Sequence, residues 1–501
     1  MGAGPARRYA LLALATGFAL LGLGPVAAHA SRSQQTIFQD DGLLQRSGPV
    51  VQARALTAIK AVGATTVRVL VGWRDLAPDP SSVLPPAHFD AADPTAYPPG
   101  AFDSLDALVR GARARGLGVM LTPTGAIPDW ASQCPPPLNV AQRNTCQPAP
   151  DQYRQFVEAL GRRFSGVLDV RQWSLWNEPN LESWLRPQWT RVGGATIDAG
   201  AVLYRQLARA GIAGLRASGH GADRILLGET SPTGRLERGN SAAPLRFAAR
   251  VLCLDDSGRP LRGADAVRYE CTHPQRLPVT GYAHHPYTDG GFLPPDAKVR
   301  NAGEVTLGYI ARLETLLARA ERYRLLPRGV RIWNTEYGFQ TKPPDPYGVS
   351  PSGQAFYLNQ SEYISWLDPW LRSFAQYGLA DDPDPASSNT GLIYDTRVRH
   401  GARKPAYDAF VTPIYVTRAG AGAVSVWGGA RGARAGTRMR IEVGRRGGWA
   451  PVATVRSGPA GYVRQRVGVR ARRWRLLWHD SAGRHHTSRT AAVDAAPVRQ
   501  R

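Results

Sequence analysis

The sequence predicts an α/β chain, a (β/α)8 barrel followed by a small C-terminal antiparallel β-sandwich. Three observations carry this. Between Gln35 and about residue 412, short apolar or β-branched runs alternate with segments of helical period. Two of the strand-like runs end in a carboxylate, Glu178 and Glu336, at the strand terminus where barrels of this class keep their chemistry. After about Val411 the period changes to short alternating runs separated by Gly-rich turns, the pattern of a sandwich.

The barrel elements follow in order. Gln35–Gln39 is expected as the first strand, and Val51, Leu56, Ile59 and Val62 lie on one side of a first helix ending near Gly63. Residues 65–71 are rich in β-branched side chains and form the second strand; Phe102, Leu105, Leu108 and Val109 mark a second helix; residues 117–122 form the third strand. A Pro- and Cys-bearing loop leads to a helix through Tyr153, Phe156, Val157 and Leu160, and residues 167–176 are expected as a long fourth strand. A helix through Leu203, Leu207, Ile212 and Leu215 precedes strand five at 224–228, residues 245–252 form the next helix, and 279–283 strand six. The most periodic helix, through Leu307, Ile310, Leu313, Leu316 and Leu317, leads to strand seven at 330–334, then the helical 357–366 and strand eight at 371–379. In the C-terminal part, residues 423–428, 439–443, 452–455, 462–467 and 474–478 are the expected sandwich strands. The organisation is therefore a leader at 1–30, a barrel domain at 31–412 and an Arg-rich sandwich at 413–501.

The leader reading rests on Arg7 and Arg8, the apolar segment from Tyr9 to about Gly24, and the small-x-small pattern Ala28-His29-Ala30. It implies a secreted, extracellular or cell-envelope protein without a membrane anchor after cleavage, since the apolar run falls short of the roughly 20 residues a span needs. Cysteine usage agrees. Cys134 and Cys146, and Cys253 and Cys271, form two local pairs that an oxidising compartment would let close as disulfides. Metal binding is the rival, but no C-x-x-C spacing is present and only His273 stands near either pair. The formal net charge of +23 is concentrated after residue 411. It points either to attraction towards an anionic glycan or cell-wall polymer or to a general arginine bias of the genome; no nucleic-acid motif accompanies it.

The motifs Trp176-Asn177-Glu178-Pro179-Asn180, followed by Trp184, and Trp333-Asn334-Thr335-Glu336-Tyr337-Gly338 resemble the acid/base and nucleophile motifs of glycoside hydrolase clan A. The likeness is greatest to family 39 and its exopolysaccharide-degrading relatives, with family 5 cellulase-like enzymes next. It extends to Val67-Arg68-Val69, Pro128-Asp129-Trp130-Ala131, His285-Pro286-Tyr287 and Lys404-Pro405-Ala406-Tyr407. The resemblance implies a retaining O-glycoside hydrolase acting on a polysaccharide or oligosaccharide, with Glu178 as acid/base and Glu336 as nucleophile. Such chemistry needs one carboxyl protonated and the other ionised. By the same likeness Arg68 lies near Glu336 and holds it ionised, Tyr287 donates to it, and Asn177 contacts the sugar 2-hydroxyl. His285 joins the site, and one of the adjacent His284 and His285 must face away. Glu229 either binds a sugar hydroxyl or is a structural acid. Trp73 and Trp130 are either sugar platforms or core. Trp173 and Trp176 are expected to wall the acid/base.

No metal or organic cofactor is implied, because two carboxyls suffice for this reaction. A transglycosylase with the same residues, or a noncatalytic carbohydrate-binding protein on a degenerate barrel, are the alternatives. One departure stands out. Many clan members carry a tryptophan at the end of strand eight, whereas residues 371–379 contain none, and Trp366 and Trp370 precede them. Either the strand lies elsewhere or the subsite is built differently.

Overall fold

A computed structural model of the chain describes residues 1–2, 34–134, 139–382, 384, 387–395, 401–420 and 422–497. The expected leader at 1–30 falls, beyond its first two residues, outside the described residues. Eight parallel strands form the barrel: β1 (Gln35–Gln39), β2 (Thr66–Gly72), β3 (Gly118–Thr124), β4 (Gln172–Ser174), β5 (Arg224–Thr230), β6 (Gly281–His284), β7 (Arg331–Asn334) and β8 (Ser373–Tyr377). Strand β1 pairs with β2 on one side and with β8 on the other, over the whole run from Gln35↔Ser373 to Gln39↔Tyr377. The ring closes between β7 and β8 through the parallel bridge Ile332↔Leu371, with Ile332 N donating to Trp370 O and Arg372 N to Ile332 O. Strand eight therefore lies where the sequence places it, and no tryptophan ends it.

Strand four is the element the sequence overstates. Residues Gly166–Leu168 form a short 3-10 turn, with Val167 exposed, and only Gln172–Ser174 pair into the sheet. Gly166 has φ +62°, a left-handed turn that an apolar run read as continuous strand conceals. A two-stranded hairpin, Trp189–Val192 with Ala195–Asp198, stands apart from the barrel sheet and is unanticipated in the sequence. Both expected cysteine pairs are bonded, Cys134 to Cys146 and Cys253 to Cys271.

The C-terminal strands are β9 (Ile414–Arg418), β10 (Val424–Gly429), β11 (Arg438–Arg445), β12 (Gly448–Arg456), β13 (Tyr462–Val467), β14 (Trp474–His479) and β15 (His485–Thr487). They form two antiparallel sheets, ordered β9-β10-β13 and β12-β11-β14-β15. Met439, Ile441, Val443, Trp474 and Leu476 are buried in the sandwich core. The alternation with exposed Arg438 and Arg440 is the period-2 signal of a half-buried strand.

The sandwich is joined to the barrel by a buried contact. Helix Pro351–Leu367 presents Tyr363, whose ring lies 5.1 Å from Tyr415 and 5.3 Å from Trp427. Beside them Arg431 pairs with Glu362 at 2.5 Å and donates to Thr36 Oγ1 at 2.8 Å, and Tyr462 donates to the same glutamate at 2.6 Å. Gly63 must be glycine: its φ is +85°, and a Cβ there would lie 2.7 Å from the Arg431 backbone. Among the described residues no helix is long and apolar enough to cross a membrane.

Candidate active site at the carboxyl ends of the strands

Glu178 follows β4 in a turn with unusual backbone geometry. Trp176 and Glu178 have φ of +68° and +37°, a region that costs a non-glycine residue about 1–3 kcal/mol and persists only where surroundings over-determine it. Those surroundings are visible. Asn177 N donates to Thr124 Oγ1 at 3.0 Å, Glu178 N to Glu229 O at 3.0 Å, and Asn180 is clamped between Ser231 and Ala242. The Asn-Glu-Pro-Asn run therefore holds its own loop with the second asparagine and directs Glu178 towards the barrel mouth.

Arg68 is the hub. It is fully buried inside the barrel, with its neighbours Val67 and Val69 also buried. Its Nε donates to Glu229 Oε1 at 2.8 Å and its Nη2 to the other oxygen of Glu229. The same Nη2 reaches Asn177 Oδ1 at 2.6 Å, while Nη1 reaches Glu336 Oε2 at 2.9 Å and also the Gln39 amide oxygen. Burial disfavours its charge, but Glu229 and then Glu336 more than compensate, so the guanidinium is held firmly protonated.

Tyr287 donates to Glu336 Oε1 at 3.1 Å, and its ring stacks on Tyr337 at 5.7 Å. His285 spans the two carboxylates: its Nδ1 lies 3.1 Å from Glu178 Oε1 and 3.9 Å from Glu336 Oε2. Burial pulls the His285 imidazole down, yet the Glu336 charge and the hydrogen bond that the ring donates to Glu178 push it further up, leaving it above its ordinary value. For Glu336 burial raises the carboxyl, while the charges of His285 and Arg68 oppose that rise. Glu178 and Glu336 keep side-chain exposures of 17% and 15%, enough for a substrate atom to reach each.

Arg68, Asn177, Glu178, His285, Tyr287 and Glu336 are thus gathered at one mouth. Glu229 is there too, but both its oxygens are bound by the buried Arg68, and it is fully buried itself. Of its two readings, the geometry corresponds to the structural acid. Of the two readings of Trp73 and Trp130, the geometry corresponds to core. Trp73 is fully buried, stacked on Phe156 at 5.3 Å, with Trp130 set edge-on at 5.8 Å, and Trp130 Nε1 donates to Pro78 O. Trp173 does not wall Glu178 either, since its indole donates to Asp223 and packs on His220. Trp176 is fully buried against Tyr153. Of the two adjacent histidines, His284 faces away, held by Thr230 and Val305 O and pushed down to about 3 by burial.

Three site neighbours have no counterpart among the sequence candidates. Gln39, the last residue of β1, accepts from Arg68 and donates through Nε2 to Asp41 Oδ2 at 2.8 Å. Asp41 also accepts from Gln45 and borders a cavity of about 710 Å³ shared with Arg46, Asp75 and Trp184. Tyr377 ends β8, where the clan's tryptophan is absent; burial, then Asp41 and Glu336, push its hydroxyl up. The Gln39-Asp40-Asp41 run after the first strand was the available signal. Among the described residues no group of three His, Cys, Asp or Glu side chains is placed to hold a metal ion.

A match to the family described as Cellulase (glycosyl hydrolase family 5) spans residues 35–366. The chain belongs to glycosyl hydrolase family 5. It is a glycoside hydrolase of clan A, and its family is the second of the two that the motifs resembled. No protein with a curated description matches it. Among solved structures it is similar to Bacteroides uniformis β-glucuronidase 2 covalently bound to cyclophellitol-6-carboxylate aziridine, at 12% identity and TM-score 0.42, covering 93% of this chain and 46% of that one. A GH30 endoxylanase from Clostridium papyrosolvens C71 matches at 11% identity and TM-score 0.45, covering 88% and 96%. Virulence factor SghA from Agrobacterium tumefaciens matches at 14% and 0.44, covering 75% and 95%. The chain thus spans less than half the length of the β-glucuronidases it matches.

Proposed function

We propose that the chain is a secreted, retaining O-glycoside hydrolase that cleaves a polysaccharide or oligosaccharide, with Glu336 as nucleophile and Glu178 as acid/base. The observation that carries this is the reach of one His285 nitrogen to both carboxylates, 3.1 and 3.9 Å. Two carboxylate oxygens so close to a common atom lie no more than about 7 Å apart, which supports the roughly 5–5.5 Å separation of retaining enzymes. The contacts also divide the labour. Glu336 receives Arg68 and Tyr287, two donors that favour a carboxylate, whereas Glu178 receives His285 alone.

In the first step the Glu336 carboxylate attacks the anomeric carbon, the glycosidic C–O bond breaks, and Glu178 gives its proton to the departing oxygen. In the second, Glu178 takes a proton from water, whose oxygen displaces Glu336 and releases the sugar. In this reading Asn177, whose amide oxygen accepts from Arg68, meets the sugar 2-hydroxyl. The substrate proposed is a plant, microbial or envelope glycan, and the basic sandwich holds the enzyme on an anionic glycan or cell-wall polymer.

Intact-protein mass spectrometry after incubation with 2-deoxy-2-fluoro or cyclophellitol-type glycosides tests the mechanism, with Glu336→Gln in parallel. One sugar adduct on the wild type, absent from the variant, is the expected result. Adduct formation that survives Glu336→Gln would assign the nucleophile elsewhere.

A further inference from the structure

We propose that the outer face of the four-stranded sandwich sheet is a docking surface for a carboxylated polysaccharide, a polymer carrying uronate groups. This deepens the proposed attachment of the enzyme to an anionic glycan and rests on that reading. The two faces of the sandwich have opposite fates. The β9-β10-β13 sheet turns Tyr415, Trp427 and Tyr462 onto the barrel helix, so that side is closed. The β12-β11-β14-β15 sheet turns Met439, Ile441, Val443 and Trp474 inward and leaves Arg438, Arg440 and His479 exposed on its other face, where Leu477 and Glu442 are buried among them.

Register decides what those outward residues make together. Arg438 is paired with Arg456 across β11 and β12. On the other side Met439 pairs with Trp478, which sets Arg438 beside His479, and His479 pairs with His485 across β14 and β15. The result is a row across all four strands, Arg456, Arg438, His479 and His485, each exposed, with the last two rings 5.1 Å apart. Neighbouring strands lie about 4.7–4.9 Å apart. One sugar unit of an extended chain advances by a comparable step, so a polymer lying along the row meets a fresh basic side chain at nearly every ring.

The next outward position of β11 is Arg440, about half exposed. The face's one acid on that strand, Glu442, is buried and bound by both Arg440 at 3.0 Å and Arg475 at 2.7 Å, so it does not offset the row. At the far end Arg475 and Arg473 lie over the Trp449 ring, 4.4 and 5.4 Å from its centre, which fixes two more cations on this face. From residue 413 onward the sequence has eighteen arginines against three acids, Glu442, Asp480 and Asp494. Carboxylates match this face better than neutral sugars do, because guanidinium binds a carboxylate through two parallel hydrogen bonds. A membrane is disfavoured because the row offers no apolar side chain to insert.

The test measures binding of full-length protein to immobilised polygalacturonate by biolayer interferometry at about physiological salt, where unspecific steering is screened. All proteins carry Glu336→Gln, so binding and turnover are read separately and neither failure implies the other. Arg438→Gln/Arg440→Gln/Arg456→Gln is compared with Arg54→Gln/Arg322→Gln/Arg328→Gln, which removes equal charge from exposed barrel positions. Roughly tenfold or greater weakening by the first set, with less than about twofold by the second, is expected. Equal weakening by both sets, or none by the first, overturns the proposal. So does equally tight, face-dependent binding to hydroxyethylcellulose, duplex DNA or anionic vesicles, which would make the patch glycan-general or simply polyanion-binding.

Discussion

Arg68 joins Glu229 to Glu336: its Nε donates to the first at 2.8 Å and its Nη1 to the second at 2.9 Å. A charged side chain inside a barrel is tolerable only when fully partnered, and here Glu229 supplies the buried counter-charge that lets Arg68 approach the Glu336 carboxylate. Glu229→Ala is therefore expected to cost about 3–5 kcal/mol in chemical unfolding, because it strands the arginine. Turnover should fall at the same time. An unchanged unfolding midpoint with a raised KM alone would instead return Glu229 to a sugar-binding role.

Glu178 and Glu336, the two glutamates proposed as catalytic, should fail differently. Glu336→Gln is expected to lower kcat on the order of 10⁴-fold or more, since no covalent intermediate can form. Glu178→Ala should lose roughly 10²–10⁴-fold on poor leaving groups and much less on activated aryl glycosides, which need no proton. Azide should then restore turnover of the Ala variant and yield a glycosyl azide of retained configuration. A product of inverted configuration, read by proton NMR, would refute the double displacement.

His285 makes stability and activity depend on pH in a defined direction. Its folded value is raised above 6.5, burial opposing and Glu336 then Glu178 driving the rise. A raised folded value means that its contribution is fully present below the unfolded pKa, near 6.5, and is lost as pH rises through the folded value. Thermal melts of wild type and His285→Gln should therefore differ most at mildly acidic pH and converge above neutrality. Melting temperatures that diverge further at alkaline pH would contradict the charged pairing.

Removing residues 415–501 takes nothing from the mouth of the barrel, whose described side chains all come from Gln39 to Tyr377. It is nonetheless not a clean cut. It uncovers Tyr363 and leaves Glu362 buried without Arg431 or Tyr462. Arg431→Ala alone is expected to cost about 3–5 kcal/mol, and the truncation to be poorly soluble. A truncated barrel with an unchanged melting temperature would show that the sandwich only rests on it.

The strands were legible in the sequence because each carries its own local signal, and β8 was placed correctly even without the expected tryptophan. The side of the sheet that a given residue faces was less legible. Trp173 and Trp73 look like site aromatics beside the motifs, yet one points to Asp223 and the other to Phe156. Strand ends break the simple alternation. At the end of β5 the pairing with β6 slips between Gly228 and Thr230, and Glu229 takes φ +48°. That bulge directs Glu229 onto Arg68, a relation set by register between distant strands and therefore absent from any local pattern. Val167 misled in the opposite sense, being apolar and exposed in a turn.

Asp41 supplies the last prediction, in which folding and catalysis move in opposite directions. Gln39 has a single side-chain amide, and it offers its oxygen to Arg68 and its nitrogen to Asp41. The Asp41 carboxylate thereby orients the amide that completes Arg68, one step removed from Glu336. Burial pushes the Asp41 carboxyl above its ordinary 3.8, although Gln39 and Arg68 oppose it. A folded value above the unfolded one means that stability is lost as pH rises from the unfolded value through the folded one, so at neutral pH Asp41 is a net cost to the fold. Asp41→Asn removes that cost and replaces one of the two acceptor oxygens, which receive Gln39 and Gln45, with an amide nitrogen that cannot accept, so the Gln39 amide is no longer firmly fixed. At pH 7 the variant is expected to melt at or above the wild-type temperature while kcat/KM falls by about tenfold. If the substitution lowered melting temperature and activity together, Asp41 would be an ordinary structural acid, and the relay from Asp41 through Gln39 to Arg68 would have no catalytic consequence.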